Sequence, residues 1–253
     1  MVVEVDPGWA FAVFLLSIRL GAFLAVTPIL NSVSIPPSGR ALLVLALAAL
    51  IVSGLDVRSI APTGLGEVFV AAVTEAALGA ILAFGIFAAF AAFSVAGGLL
   101  DVQVGFGVGS IFDPATRRNA PVIAAALDLF AVMAFFSMDG HHALLRGVAY
   151  SLEQAPPGAF IASLPLAAVS KQFGVMFSLG VVLVAPAVFC VFLTEVGLAM
   201  LSRVMPQMHI FFFGMPVRIF VGLSVLMLST PYLAPVMGKI FLSIFTYWEA
   251  VLG

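Results

Sequence analysis

The chain has 253 residues, of which 63% are hydrophobic and only 9% carry a charge. Soluble domains carry about 25% charged residues, so this composition excludes an ordinary water-soluble globule and indicates an integral membrane protein. A net charge of -2 leaves no basic face to neutralise phosphates, which excludes a nucleic-acid binder. The single cysteine, Cys190, excludes a disulfide within the chain and a cysteine metal cluster.

Apolar blocks separated by proline- and glycine-rich breakers follow one another along the chain. The blocks are residues 9–30, 41–55, 67–100, 120–138, 160–201 and 210–252. None shows the alternation of a membrane strand, so each block predicts helix and the fold class is all-α. We expect one membrane domain over 1–253. The first block follows acidic residues and is longer than a signal sequence, so its helix is expected to stay in the mature protein.

The lengths of these blocks fit poorly to a bundle of simple spans. As one helix, 67–100 would extend about 50 Å and 41–55 only about 22 Å, whereas the hydrocarbon core is about 30 Å thick. We therefore expect some helices to be broken, strongly tilted, or buried against other protein.

The segment DGHHALLRGVAYSLEQ, residues 139–154, predicts an amphipathic helix after the fourth block. Leu144, Leu145, Val148 and Leu152 recur at helical spacing, with polar residues between them. Such a helix would lie at a membrane interface or against a partner helix.

Ionisable side chains within apolar blocks have two interpretations. Each costs about 3 kcal/mol at the centre of a membrane helix. They would line a polar or proton-coupled path, or they would pair across a helix or protein interface, and the presence of both signs favours pairing. The residues are Arg19, Glu75, Asp128, Glu195 and Arg218. Arg203, which follows the fifth block, is also expected to be a buried charge.

The histidines do not predict a metal site. His141 and His142 are adjacent, so on a helix they should point about 100° apart and fail to share an ion, and His209 stands alone. No nucleophile-and-base motif is present, so we expect neither an enzyme nor a cofactor.

The stretch GGLLDVQVGFGVGSIFDP, residues 97–114, interrupts the apolar sequence with five glycines. Its GFGVGS lacks the spacing and the lysine of a phosphate-binding loop. Glycines allow positive φ, and non-helical chain at membrane depth is tolerated only inside protein or a water-filled cavity. The stretch is either a deformable stopper carrying Phe106, Ile111 and Phe112, or an ordinary loop outside the membrane.

A second irregular stretch, LSRVMPQMHIFFFGMPVRIF, spans residues 201–220. Pro206 and Pro216 predict breaks in the helix on either side of a cluster of methionine and phenylalanine. These side chains form adaptable apolar seals, or simply pack in a core.

Over nearly its whole length the chain resembles the FliR/SctT family of type III export-gate proteins. The matching motifs are SIRLGAFLAVTPILNSVSIPPSGR, GGLLDVQVGFGVGSIFDP, DGHHALLRGVAYSLEQAPPG and SRVMPQMHIFFFGMPVRI. The last motif is the most specific. His209 stands where the family commonly has Asn, and Asp139 where it has Gly.

The resemblance implies broken and tilted helical hairpins assembled with FliP and FliQ homologues into a helical hetero-oligomeric export gate that contacts FlhB. Such a gate lies in the bacterial inner membrane, in contact with membrane lipid, at the flagellar basal body. Unfolded flagellar proteins pass through it, powered by the proton-motive force and an associated ATPase. The alternatives are an injectisome subunit of the SctT type, and, from a different class, a self-contained transporter or intramembrane enzyme.

The resemblance also implies that the first irregular stretch acts as a plug. For the second stretch, the residues themselves predict a further constriction or a packing element. The plug residues are Gly105, Phe106, Gly107, Gly109, Ile111, Phe112, Asp113 and Pro114. The residues of the second group are Pro206, Gln207, Met208, Phe211, Phe212, Phe213, Met215 and Pro216.

Overall fold

In the structure, a computed structural model, residues 7–27, 36–54, 64–106, 121–158, 165–205 and 210–253 are described. Over these ranges the chain forms eight α-helices and no strand, so the predicted all-α class is confirmed. The helices are α1 (Pro7–Val26), α2 (Pro37–Gly54), α3 (Leu65–Val104), α4 (Val122–Ser137), α5 (Gly140–Gln154), α6 (Leu166–Val204), α7 (Ile210–Leu228) and α8 (Thr230–Leu252).

The predicted membrane character is confirmed by the lengths and the hydropathy of these helices. Four of those described, α1, α2, α3 and α6, are long and apolar enough to cross a membrane. The pairs α4 with α5 and α7 with α8 pass the same test together, but each pair is bent at a short break. Counting each bent pair as one span raises the number to six.

Helix α3 shows how the chain accommodates a block that is too long for a bilayer. Its 40 residues form one continuous helix, which at 1.5 Å per residue extends about 60 Å, twice the hydrocarbon thickness. Of the residues in the most apolar 18-residue segment of α3, 61% are buried within the protein, whereas the corresponding share for α2 is 11%. The long apolar sequence of α3 therefore reflects burial against other helices more than contact with lipid.

The expected breaks in the helices are confirmed, and one lies in the C-terminal block at a position that the sequence analysis did not single out. Helices α7 and α8 meet at Ser229 with a bend of 69°. The Ser229 N–H donates to the carbonyl of Val225, while its own carbonyl accepts from Tyr232 and Leu233. The backbone groups at the break are thus satisfied locally, which is the condition for breaking a helix in an apolar environment.

Residues divide into two compact units, the first comprising 1–88, 139–172 and 243–253. Trp248 is at the centre of its core, 2% exposed, and its indole N–H donates to the carbonyl of Leu82 at 2.9 Å. A Cβ on Gly147 would lie 1.7 Å from the Trp248 ring. Close packing of this kind requires glycine, because any side chain at that position would overlap the indole.

Unit 1 also contains the predicted amphipathic helix, as α5. Leu144, Val148 and Leu152 are buried, and Leu145 is 48% exposed. The expected helix is confirmed, with its apolar stripe one residue narrower than the pattern indicated.

The second unit comprises residues 89–138 and 173–242. Its core is an aromatic cluster of Phe90, Phe93, Phe135 and Phe241, in which neighbouring ring centroids lie 5.5–5.9 Å apart. Tilted and stacked rings at this spacing stabilise a core beyond the burial of their area. This cluster holds α3, α4 and α8 together within the unit.

Candidate functional site

The first part of the site is the junction between α3 and α4 in unit 2, on either side of the predicted plug. Both oxygens of the Asp101 carboxylate accept backbone hydrogen bonds at the start of α4, from Ile123 N–H at 3.0 Å and Ala124 N–H at 2.9 Å. The Asp101 residue is only 3% exposed. Pro121, the residue that caps α4, makes no side-chain cap bond. Asp101 therefore performs from another helix the role of an N-terminal capping residue.

Two further contacts join the same helices. A Cβ on Gly97 would lie 2.2 Å from Cα of Ala124, so α3 and α4 meet at backbone contact there. One turn earlier on α3, Ser94 Oγ donates to Asp128 Oδ1 at 2.7 Å. Residues 94, 97 and 101 lie on one face of α3, because they are three and four residues apart, and together they form the surface on which α4 packs.

Helix α3 ends at Gly105, the first residue assigned to the plug. Gly105 has a φ of 97°, and its N–H donates to the carbonyl of Asp101 at 3.1 Å. Left-handed backbone of this kind is a common end to a helix and favours glycine. A Cβ on Gly105 would lie 3.8 Å from Cγ of Met215. The structure therefore brings the two irregular stretches predicted from sequence together at Gly105 and Met215.

The remaining residues assigned to the plug are only partly described. Phe106 follows directly and is 37% exposed. The others lie outside the described residues: Gly107, Gly109, Ile111, Phe112, Asp113 and Pro114.

The second stretch differs from its prediction at Pro216. Pro216 lies inside α7 and does not end it, because one proline removes a single backbone hydrogen bond, whereas stopping the helix would leave several groups unsatisfied. Phe213 is 62% exposed and Met215 is half-buried. Pro206, Gln207 and Met208 lie outside the described residues, as do the side chains of Phe211 and Phe212 within α7.

Arg19 and Glu75 form a fully buried ion pair in unit 1. Arg19 Nε donates to Glu75 Oε2 at 2.6 Å and Arg19 Nη2 donates to Glu75 Oε1 at 3.1 Å, an arrangement in which the guanidinium binds both carboxylate oxygens. The other guanidinium hydrogens reach the C-terminal end of α5, at the carbonyl and hydroxyl of Ser151 and the carbonyl of Ala155. Gly158 N–H donates to Glu75 Oε1 at 2.9 Å. The pair therefore joins α1, α3 and α5, and both charges are hydrogen-bonded, as burial requires.

The other four charges predicted to be buried are not buried within this chain. Arg218 and Glu195 pair at 3.2 Å with side chains 32% and 53% exposed, so α6 and α7 are joined by a partly solvated contact. Asp128 is half-buried on Ser94. Arg203 is exposed in the last turn of α6, where a cation complements the negative end of the helix dipole. An apolar sequence context is therefore not enough to place a charge in a core.

Asp139, His141 and His142 are the group among the described residues whose geometry would permit a metal ion. One ligand atom from each lies within 4.8 Å of the others, and the two imidazole centroids are 4.1 Å apart. The expectation that adjacent histidines face apart is wrong, because side-chain torsions turn the rings toward one another. The group surrounds the N-terminus of α5, whose dipole opposes a cation, and the Asp139 and His142 side chains are 77% and 63% exposed.

Sequence reasoning did not assign a role to Asp101. The signal that was available is an aspartate one helical turn after Gly97, at the end of an apolar helix, with a proline starting the next helix. A helix that starts without a capping side chain needs an acceptor from elsewhere, and an aspartate at the end of an apolar helix needs donors. The two features together therefore predict that the aspartate caps the helix.

Long apolar helices joined by glycine contacts, with a helix break and a buried ion pair whose polar groups are satisfied within the protein, define a polytopic α-helical membrane protein. Residues 10–244 match the family of bacterial export proteins, family 1, and the chain belongs to that family. The resemblance to FliR/SctT proteins is thereby confirmed, and so is the expectation of an export component and not an enzyme.

Curated relatives cover almost the whole chain. The flagellar biosynthetic protein FliR of Bacillus subtilis is 28% identical over 91% of this chain and 90% of its own length. FliR of Escherichia coli is 27% identical over 94% of this chain and 91% of its own length. The secretion system apparatus protein SsaT of Salmonella typhimurium is 28% identical, but over 56% of each chain.

Proposed function

We propose that this protein is the FliR subunit of a flagellar type III export gate in the bacterial inner membrane, at the basal body. The observation that supports this most is the match over more than nine-tenths of the chain to proteins named FliR. Relatives from injectisomes match over little more than half of it. The flagellar assignment would be tested against the SctT alternative by the neighbouring genes, flagellar or virulence-secretion.

The proposed partners are FliP and FliQ homologues, which build the channel together with this chain, and FlhB, which contacts it. Large apolar side chains are exposed on α6 and α7, for example Phe189 at 61%, Phe220 at 74% and Met227 at 80%. Exposed apolar area of this kind is covered by lipid or by other subunits. Purification from native membranes should recover FliP and FliQ with this chain, whereas a stable, monodisperse chain purified alone would contradict the assembly.

The stretch that begins at Gly105 is proposed to plug the closed channel against ions until an unfolded flagellar protein arrives. Three features support the role: the left-handed backbone of Gly105, the half-exposed apolar side chain of Phe106, and the contact between Gly105 and Met215 of the second stretch. A glycine-rich sequence next to adaptable methionine and phenylalanine side chains suits a seal that must deform.

Deletion of residues 105–112 should make the assembled gate conduct ions in a planar bilayer. Replacing Phe106 and Phe112 by serine keeps the loop length and should also raise conductance. Phe130→Ser is the matched control, because Phe130 is 41% exposed on α4, comparable to Phe106, and lies outside the stretch. Background conductance in both loop variants would contradict the plug. A leak in the control as well would show general damage to the gate and contradict it equally.

A further inference from the structure

The residue that would hold both ends of the plug in place is Asp101. The first four N–H groups of a helix have no partner within that helix, and they form the positive end of its dipole. Asp101 supplies a carboxylate oxygen to two of these groups on α4, at Ile123 and Ala124. At 3% exposure the carboxylate is almost removed from water, so these two bonds replace the hydration that the charge has lost.

The contacts on either side of Asp101 fix the register of α4 on α3. Gly97 touches the backbone of Ala124 with no space for a methyl group, and Ser94 reaches Asp128. A shift of α4 by one residue would separate the carboxylate from the two amides that donate to it. The end of α3 and the start of α4 are therefore held at one separation, and residues 107–120 connect these two points.

We propose that Asp101 is a positioning residue of the gate: by capping α4 it fixes the two points from which the plug stretch leaves and returns. This inference rests on the plug function proposed above. A displaced α4 would leave a buried carboxylate without partners, so the cap opposes any drift of the two ends. A carboxylate that only stabilised the fold would not change ion conductance in a gate that remains assembled.

The first experiment is hydrogen–deuterium exchange of the assembled, membrane-embedded complex, read on peptides covering residues 121–128. In the wild type the amides of Ile123 and Ala124 should be as protected as those in the middle of α4. In Asp101→Asn one amide oxygen remains as an acceptor, while the NH2 group faces the other donor. Exchange at Ile123 and Ala124 should then become roughly tenfold faster.

The second experiment is the planar-bilayer conductance of the same complexes. Asp101→Asn should conduct above background. Gly97→Ala keeps the carboxylate but forces α4 away from α3, and should conduct as well. Glu153→Gln is the control, because it neutralises an exposed carboxylate on α5 and should leave both exchange and conductance unchanged.

The outcomes separate this inference from the plug proposal. Faster exchange with raised conductance supports the positioning role. The positioning role is overturned if Asp101→Asn leaves exchange unchanged. It is also overturned if Asp101→Asn conducts only at background while the 105–112 deletion does conduct. In both cases the plug proposal stands. Background conductance in the deletion overturns the plug itself, and the positioning role with it. If Asp101→Asn does not assemble, unprotected amides at Ile123 and Ala124 in the wild type overturn the inference.

Discussion

Replacing Arg19 by lysine separates the charge of this residue from the shape of its guanidinium. Arg19 makes five hydrogen bonds, two to Glu75, two to Ser151 and one to Ala155. Lysine keeps the positive charge but has only three donors, and it cannot bind both carboxylate oxygens in a planar pair. At least two of the five contacts are therefore lost in Arg19→Lys.

The expected loss of stability follows from this count. A hydrogen bond to a charged group contributes about 1.5 kcal/mol or more, so losing two costs about 3 kcal/mol. Glu75→Gln should cost about 3–5 kcal/mol, because it leaves a buried guanidinium without its counter-charge. Arg146→Lys on the exposed surface of α5 is the matched control and should change stability by less than about 0.5 kcal/mol.

Native-state hydrogen–deuterium exchange of the assembled complex at increasing denaturant, read on the peptides around each substitution, would measure these differences. Trp248 is buried in the same unit, with its ring centroid 5.8 Å from that of Phe23, one turn after Arg19 on α1. If Arg19→Lys unfolds within about 0.5 kcal/mol of the parent while Glu75→Gln is strongly destabilised, charge alone holds the helices and the geometric argument fails.

Three further substitutions, one of them a control, test the packing and the second ion pair by the same assay. Gly147→Ala should lower the free energy of unfolding by about 1–3 kcal/mol, because its Cβ would overlap the Trp248 ring. Gly174→Ala, in helix α6 with nothing within 4 Å, should instead raise it by up to about 1 kcal/mol, and equal effects at the two glycines would refute the steric account. Glu195→Gln should cost less than about 1 kcal/mol, because the pair with Arg218 is partly solvated; a loss as large as that of Glu75→Gln would contradict this ranking.

Local patterns predicted most of the helices and failed at their breaks. The amphipathic spacing at 140–154 and the apolar blocks lie close to the observed α5 and to the longer helices. Pro216 was expected to end a helix and does not, whereas a bend of 69° that was not predicted lies at Ser229, two residues before Pro231. Whether a helix continues depends on where its unsatisfied backbone groups find partners, and those partners are distant in sequence.

Partners that are distant in sequence also decided the burial of the charges and the contacts at the α3–α4 junction. Apolar context marked Arg19 and Glu195 as equivalent, yet only the first is buried. Asp101 was not paired with the start of α4 from the sequence, because the amides it caps lie more than twenty residues away.

By itself, the sequence determined that this is an all-helical membrane protein of an export family, since composition and motif depend only on the residues present. Tertiary structure alone decided that Arg19 and Glu75 share one buried network, that Gly105 meets Met215, and that Asp101 caps α4. The reason is physical: hydrophobicity is a property of each side chain, whereas burial, pairing and capping are properties of which helices meet and in which register.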